Sequence, residues 1–191
     1  MAEYKSWPLG QLPPEFQRSE LDQLKKNGYK FNDPREVVDI FEKKVAKFAG
    51  AKYGIAVDCC SHGLFLSLKW YKDVMKMITE HIHIPRYTYC SVPMQIIHAG
   101  FKPVFEDVTW SGMYQLRPFD IWDGAVRWTQ GMYKSGFHIV SFQLKKRIPI
   151  GRGGMILTND KKAADWFRKM TYDGRDLTIS ISWNMDMFCY H

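Results

Sequence analysis

The 191-residue chain is long enough to bury the core of one compact domain and too short for two full domains. Its composition, 46% hydrophobic and 25% charged, is that of an ordinary soluble globular protein. The net charge of +7 suits a small anionic ligand, and because the basic residues are scattered among acidic ones, nucleic acid is not the expected partner.

Two further classes of protein lack their sequence signals here. No stretch approaches the ~20 apolar residues that span a bilayer, and the N-terminal residues resemble no signal peptide, so we expect a cytoplasmic protein without a membrane partner. The four cysteines form no CxxC spacing, which indicates neither a disulfide framework nor a zinc site. His81 and His83 lie two apart on a predicted strand without a third ligand at a useful spacing, so we expect no metal.

Strand and helix signals alternate along the chain. Residues 1–31 form a polar arm that ends in a short helix, and residues 32–50 have the spacing of an amphipathic helix. Predicted strands follow at "YGIAVD", "HIHIP", "KPVFEDV", "FDIWDGA", "FHIVSF" and "GGMILTN", with helices at "CCSHGLFLSLKWYKDVMKMI", "CSVPMQIIHAG" and "KKAADWFRKMTYDG". This alternation predicts an α/β domain over residues 32–176, with a mainly parallel sheet covered by helices on both faces.

Several reactive side chains follow directly after the predicted strands. Ligands of such sheets bind at the carboxyl ends of the strands. The residues found there are Ser61, Tyr89, Asp107, Asp123 and Lys146. A helix that begins at Ser61 offers backbone N–H groups and a positive dipole end to a phosphate, although an ordinary helix cap is the alternative.

Two of these positions also have a structural alternative. Asp123 ends an apolar strand, so its carboxylate is expected either to be partly buried with a cationic or hydrogen-bonding partner, or to cap the next turn. Tyr87 and Tyr89 alternate on an extended segment and share a face, which suits a flat ligand or core packing. An anion site, a buried carboxylate, an aromatic face and a lysine at one sheet edge are together the components of a pyridoxal phosphate pocket.

The order of the sequence blocks carries a family resemblance. The segments "FEKKVAKFAGAKYGIAVDCCSHGLFLSL", "IPRYTYCSVPMQIIHAGFKPVFEDV", "IWDGA" and "SFQLKKRIPIGRGGMILTND", followed by "RKMTYDGRD", resemble the successive blocks of the DegT/StrS-type sugar aminotransferases from about Pro34 to Asp176. The most specific block reads Ser-Phe, three variable residues, Lys, and then Gly-x-Gly-Gly. The resemblance implies a three-layer, aspartate aminotransferase-like (fold type I) large domain with a mixed sheet, and pyridoxal 5'-phosphate as the cofactor.

The same resemblance implies roles for individual residues. Lys146 is the Schiff-base lysine, Asp123 pairs with the pyridine nitrogen of the cofactor, and Tyr89 stacks on its ring. Cys60 takes the place of a glycine in the family's phosphate loop. The implied phosphate contacts are Ser61, the backbone N–H of His62, and Ser141. Asn184 resembles the asparagine that reaches the phosphate of the neighbouring subunit, which implies a homodimer with shared active sites.

The resemblance also implies an activity, amino transfer from glutamate or a similar donor to a nucleotide-linked keto sugar. The stretch between Asp107 and Asp123 is too short for the extra strand, helix and crossover of relatives, and residues 177–191 form only a tail in place of the usual C-terminal small domain. We therefore expect a reduced, truncated member of the family. Two alternatives stay open: a catalytically reduced relative that acts as a binding or partner subunit, and an anion or nucleic-acid binder that uses the "KKR" run.

Overall fold

The computed structural model describes residues 18–32 and 36–171, and the chain divides into two compact units, residues 1–38 and 39–191. In the first unit, α1 (Ser19–Lys26) is the short helix that the sequence predicts at the end of the arm. Acidic residues lie in its first turn and lysines in its last turn, an arrangement that complements the helix dipole. None of its residues is buried.

The second unit alternates strands and helices in the predicted order, with one additional short strand, β4. A helix that crosses the unit boundary, α2 (Glu36–Ala49), is followed by β1 (Tyr53–Val57), α3 (Cys60–Lys69) with a π-helical turn at Trp70–Val74, β2 (His81–Pro85), α4 (Ser91–His98), β3 (Lys102–Glu106), β4 (Tyr114–Gln115), β5 (Ile121–Asp123), β6 (Phe137–Ser141), β7 (Gly154–Thr158) and α5 (Lys161–Met170). In the described parts of the chain, no helix has both the length and the apolar character needed to cross a bilayer.

The strands form a mixed sheet, but fewer of the strand pairs are parallel than the sequence predicts. The five-stranded sheet has the order β1-β7-β6-β5-β4, in which β5 and β6 are the parallel pair and the three other pairs are antiparallel. β2 and β3 pair in parallel as a separate two-stranded sheet. The connections explain the difference, because the loops over residues 116–120 and 142–153 contain no helix and join antiparallel neighbours.

A short segment after β4 joins the two sheets. The backbone N–H of His83 donates to the carbonyl of Arg117 at 2.8 Å, and the N–H of Arg117 donates back to the carbonyl of His83 at 3.1 Å. On the other side, the N–H of Leu116 donates to the carbonyl of Ile121 at 2.8 Å. Residues 114–117 therefore lie between β5 and β2, and they place Tyr114 directly opposite Asp123.

Helices cover both faces of the five-stranded sheet, which confirms the predicted three layers. On one face, Ile139 and Ile156 belong to an apolar cluster that includes α3, α4 and α5. On the other face, Val140 and Met155 pack with the buried apolar residues of α2, namely Val45, Ala46 and Ala49. Successive side chains of a strand point to opposite faces, so the continuous apolar run of β6 fits burial on both sides.

Two glycines set the close approach of α3 to the sheet. A Cβ atom on Gly63 would lie 2.7 Å from Cγ2 of Ile139, and one on Gly154 would lie 2.6 Å from the backbone nitrogen of Cys60. Any larger residue at either position would force a shift of these neighbours. The start of α3 therefore rests directly on β6 and β7, at the end of the sheet where β6 finishes at Ser141.

Candidate active site

A cavity of about 340 Å³ lies at the carboxyl ends of β5 and β6. Its walls come from the starts of α3 and α4 and from the loop that follows β6. The residues of the sequence prediction that line it are Cys60, Ser61, Tyr89, Asp123, Ser141 and Lys146. The structure thus brings together most of the predicted site in one cavity.

The remaining predicted positions lie elsewhere. The side chain of His62 contacts Oδ1 of Asp58, and His62 is not among the lining residues, although its backbone N–H belongs to the first turn of α3. Asn184 lies outside the described residues. Asp107 pairs with Arg86 on the exposed surface, with 3.1 Å between Nε and Oδ1, and does not line the cavity.

Asp123 is a buried carboxylate with a hydrogen-bond donor on each oxygen. The backbone N–H of Ala125 donates to Oδ1 at 3.0 Å, and the hydroxyl of Tyr114 donates to Oδ2 at 2.7 Å. Burial raises the pKa of Asp123 above its usual range, and these two donors and the charge of Lys146 offset only part of that rise. A cationic group in the cavity would complete the compensation of this buried charge.

Sequence reasoning missed Tyr114, which is the direct neighbour of Asp123. It is buried on β4, and its hydroxyl also forms a short hydrogen bond with the Thr88 hydroxyl. Burial and the charge of Asp123 raise the pKa of Tyr114, so the phenol stays protonated and donates. A two-residue strand has no detectable periodicity, so no sequence signal could have placed Tyr114 opposite Asp123.

The loop after β6 presents two adjacent lysines in different environments. Lys146 is half-buried, whereas Lys145 is exposed. The loop is held by Gln143, whose carbonyl accepts the N–H of Lys146 at 2.8 Å and whose Oε1 accepts the N–H of Lys145 at 2.9 Å. Both lysines line the cavity, and the more buried one, Lys146, lowers the pKa of Asp123.

A second cavity of about 400 Å³ adjoins the same lysines. Its walls include Lys145, Lys146 and Arg147, together with Gly112 and Val126. Lys146 therefore borders both cavities, and the second one carries an excess of positive charge that would attract an anionic molecule.

Two helix starts form the polar corner of the first cavity. Cys59 precedes α3 in an extended conformation, and its side chain makes no cap hydrogen bond. The Ser61 hydroxyl lies 2.7 Å from the hydroxyl of Ser91, the first residue of α4. Ser91 also lines the cavity and was missed by the sequence prediction, because a serine at a helix start usually indicates only a cap.

The cysteine pair at the start of α3 is not chemically activated. Burial raises the pKa of the Cys60 thiol well above its usual range, and the charge of Asp123 adds to this effect. Burial also raises the pKa of Cys59. Both thiols are therefore protonated near neutral pH, and Cys60 is a neutral wall residue of the cavity rather than a nucleophile.

The two tyrosines after β2 are surface residues. Tyr87 is 77% exposed and Tyr89 is 71% exposed, so the core-packing alternative for this pair is wrong. Tyr89 lines the cavity, whereas Tyr87 does not. The aromatic ring at the rim of the cavity is thus available to a bound flat molecule.

Comparison with known sequences gives a family match over most of the chain. Residues 15–121 and 130–188 match the DegT/DnrJ/EryC1/StrS aminotransferase family. A curated relative is the spore coat polysaccharide biosynthesis protein SpsC of Bacillus subtilis (strain 168), which is 26% identical over an alignment 212 residues long. That alignment covers 86% of this chain and 51% of SpsC, so the chain spans about half the length of the curated relative it matches.

Solved structures share the fold at low sequence identity. A putative PLP-dependent aminotransferase from Bacillus cereus has a TM-score of 0.66 and 17% identity, with coverage of 90% of this chain and 58% of that one. The 3-amino-5-hydroxybenzoic acid synthase has a TM-score of 0.69 and 17% identity, covering 98% and 59%. DesI, crystallised with its TDP-sugar product, has a TM-score of 0.62 and 19% identity, covering 84% and 50%. These likenesses confirm the predicted fold type I architecture.

Proposed function

The chain belongs to the DegT/DnrJ/EryC1/StrS aminotransferase family, and from that premise we propose that it binds pyridoxal 5'-phosphate and transfers an amino group. The observation that carries the proposal is the convergence of Lys146 and Asp123 on one cavity beside the start of α3. This set joins an amine, a buried carboxylate and an anion-binding helix end within the reach of one small molecule.

The side chains of the cavity fit the three functional parts of this cofactor. Lys146 would bind the aldehyde carbon covalently, and Asp123 would accept a proton-bearing ring nitrogen as its cationic partner. Ser61 and Ser141, with the first N–H groups of α3, would hold the phosphate. Tyr89 at the rim would cover one face of the ring.

The positions of Asp123 and Lys146 in the cavity indicate the chemical role of each residue. When bound, the cofactor supplies a ring that withdraws electrons from the carbon at which the amino group is exchanged. Asp123 would keep the ring nitrogen protonated, because its buried negative charge is most stable beside a positive one. The amine of Lys146 lines both cavities, so it would act as general base and then as general acid, moving the proton from the substrate carbon to the cofactor carbon.

We propose glutamate or a similar amino acid as the donor and a nucleotide-linked keto sugar as the acceptor. The second cavity supports this acceptor, since Lys145 and Arg147 on its wall suit a diphosphate. DesI, which shares the fold, was crystallised with a TDP-sugar product. A homodimer with shared sites and a cytoplasmic location complete the proposal, and Asn184 is the residue predicted to reach the partner subunit's cofactor.

The first test is the absorption spectrum of the purified chain mixed with pyridoxal 5'-phosphate. We expect a visible band in the natural chain and in Lys145→Ala, and no such band in Lys146→Ala. L-glutamate should then bleach the band of the natural chain, because complete transfer of its amino group would leave the cofactor as an amine, release 2-oxoglutarate and free the amine of Lys146. A band that persists in Lys146→Ala would contradict the assignment, and no band in any variant would favour the catalytically reduced binding subunit instead.

A further inference from the structure

A cluster of metal-ligating side chains lies at the turn between β1 and α3. A carboxylate oxygen of Asp58, the Sγ of Cys59 and a ring nitrogen of His62 all lie within 4.8 Å of one another. Among residues 18–32 and 36–171, this is the one group of three histidine, cysteine or acidic side chains so close together. All three are partly buried, so the cluster is ordered by its surroundings and still reachable from solvent.

The backbone of the turn creates this arrangement. Cys59 is extended, with φ −162° and ψ 162°, and pairs with Gly153 as an isolated bridge. Asp58 precedes it and His62 lies in the first turn of α3, so the chain folds back on itself between them. The ring Nδ1 of His62 contacts Oδ1 of Asp58, which holds both ligands on the same side of the turn.

We propose that Asp58, Cys59 and His62 form a zinc site. A carboxylate oxygen, a thiolate sulfur and an imidazole nitrogen are the three ligand types that Zn²⁺ accepts, and the mixed set is unsuited to Mg²⁺ or Ca²⁺, which prefer oxygen ligands alone. Three protein ligands leave the fourth tetrahedral position to water. On binding, the Cys59 thiol releases its proton to solvent and coordinates as the thiolate.

Arg152 forms an ion pair with Asp58, so the carboxylate of this cluster already attracts a positive charge. Its Nη2 donates to Oδ2 of Asp58 at 2.9 Å, while its side chain is 77% exposed. An exposed ion pair of this kind contributes little stability, so the guanidinium can turn into solvent when a metal ion binds the carboxylate. Removing Arg152 should therefore strengthen metal binding, whereas a purely structural Asp58–Arg152 pair would give no such gain.

The zinc site does not rest on the proposed function, and two of its three ligands lie outside the cavity. The ring of His62 does not border the cavity, and Asp58 does not line it either. Cys59 belongs to both sites, because it lines the cavity and also supplies the sulfur ligand of the zinc site. The site can therefore be tested on the full chain without any cofactor.

Cobalt(II) is the probe for the experiment, because it takes zinc sites and gives a near-ultraviolet thiolate charge-transfer band. The full chain, reduced and free of cofactor, is titrated with CoCl₂ in two matched forms. One is the triple variant C60S/C90S/C189S, in which Cys59 is the only cysteine, and the other adds Cys59→Ser to that triple variant. We expect the band at one cobalt per chain in the first form and its loss in the second, with displacement by one equivalent of Zn²⁺.

Two further variants make the result decisive. His62→Ala should weaken cobalt binding at least about tenfold, and Arg152→Ala should strengthen it, with circular dichroism used to verify that each variant is folded. The proposal is overturned if the Cys59-only form gives no band at millimolar cobalt. It is also overturned if Cys59→Ser keeps the band, or if both His62→Ala and Arg152→Ala leave the affinity unchanged.

Discussion

Asp123 and His138 are both buried ionisable residues on the neighbouring strands β5 and β6, and they face opposite sides of the sheet. Trp122 is the cross-strand partner of His138, so the next residue, Asp123, points to the other face. Asp123 accepts two hydrogen bonds and borders the cavity. Within the described residues, neither ring nitrogen of His138 has a hydrogen-bond partner.

This difference in hydrogen bonding indicates that Asp123 serves ligand binding, whereas His138 serves packing. Donors already in place around Asp123 allow it to hold a negative charge in a buried environment, where a cationic ligand gains most from it. His138 has no comparable support, and burial together with the nearby charge of Arg127 lowers its pKa to about 4. His138 is therefore a neutral side chain that fills space between the sheet and its neighbours.

The largest expected effect comes from removing the carboxylate. Asp123→Ala should weaken the binding of pyridoxal 5'-phosphate at least about 100-fold, because it leaves the ring nitrogen without its buried partner, a loss of about 3 kcal/mol. An absorbance titration measures it. His138→Phe is the matched control, since it removes a buried ionisable group from the opposite face, and its affinity should change less than about twofold. Equal losses of cofactor affinity in Asp123→Ala and His138→Phe would contradict the different roles assigned to these two residues.

The second effect is on stability and concerns His138. An unfolded histidine binds its proton below pH 6.5, whereas His138 in the folded chain does so only below about pH 4. As the pH falls through this window the unfolded chain takes up the extra proton, so the free energy of unfolding drops, by about 3 kcal/mol in total.

Urea unfolding between pH 7 and pH 4 tests this dependence. His138→Phe should lose that part of the pH dependence while it keeps the part due to other groups. A variant whose stability falls with pH as steeply as that of the natural chain would show that His138 has polar partners after all.

The third effect tests the donors of Asp123. Tyr114→Phe removes the hydrogen bond to Oδ2 and should cost about 2 kcal/mol of stability and about tenfold in cofactor affinity. Tyr133→Phe is the control, because its hydroxyl donates to the Gly136 carbonyl at 3.1 Å and does not reach the cavity. That control should lose about 1 kcal/mol of stability and no affinity. Unchanged affinity in Tyr114→Phe would remove Tyr114 from the site.

The smallest effect concerns the polar corner of the cavity. Ser91→Ala removes the partner of the Ser61 hydroxyl and should weaken cofactor binding about threefold, near the lower limit for a single neutral hydrogen bond. Ser67→Ala is the control on α3, since its hydroxyl donates to the Gly63 carbonyl and lies outside the cavity. Titration of each variant with pyridoxal 5'-phosphate would compare the two affinities. Equal affinities in the two variants would show that the Ser61 and Ser91 hydroxyls only hold α3 and α4 together.

The sequence predicts those site residues whose position follows from the order of strands along the chain. Asp123, Ser141 and Lys146 come at the ends of short apolar strands or a few residues after them, and the carboxyl ends of parallel neighbours meet at one edge. Family spacing distinguishes Lys146 from Lys145, and the structure adds a physical difference, since Lys146 is the more buried of the two.

The part that could not be predicted depends on cross-strand pairing. Tyr114 reaches Asp123 only because β4 pairs with β5, and a two-residue strand carries no periodicity. His138 lies in an apolar run that correctly predicts a buried strand, but nothing in that run tells which groups face its ring. The antiparallel direction of β7 was missed for the same reason, because strand direction depends on how the loop over residues 142–153 turns.

The measurement that tests the central claim most directly is reductive trapping of the cofactor. The natural chain is mixed with one equivalent of pyridoxal 5'-phosphate, reduced with borohydride, digested with chymotrypsin and sequenced by tandem mass spectrometry. We predict the phosphopyridoxyl mass on Lys146 and none on the adjacent Lys145. A label on Lys145, or one spread over the surface lysines, would contradict the account.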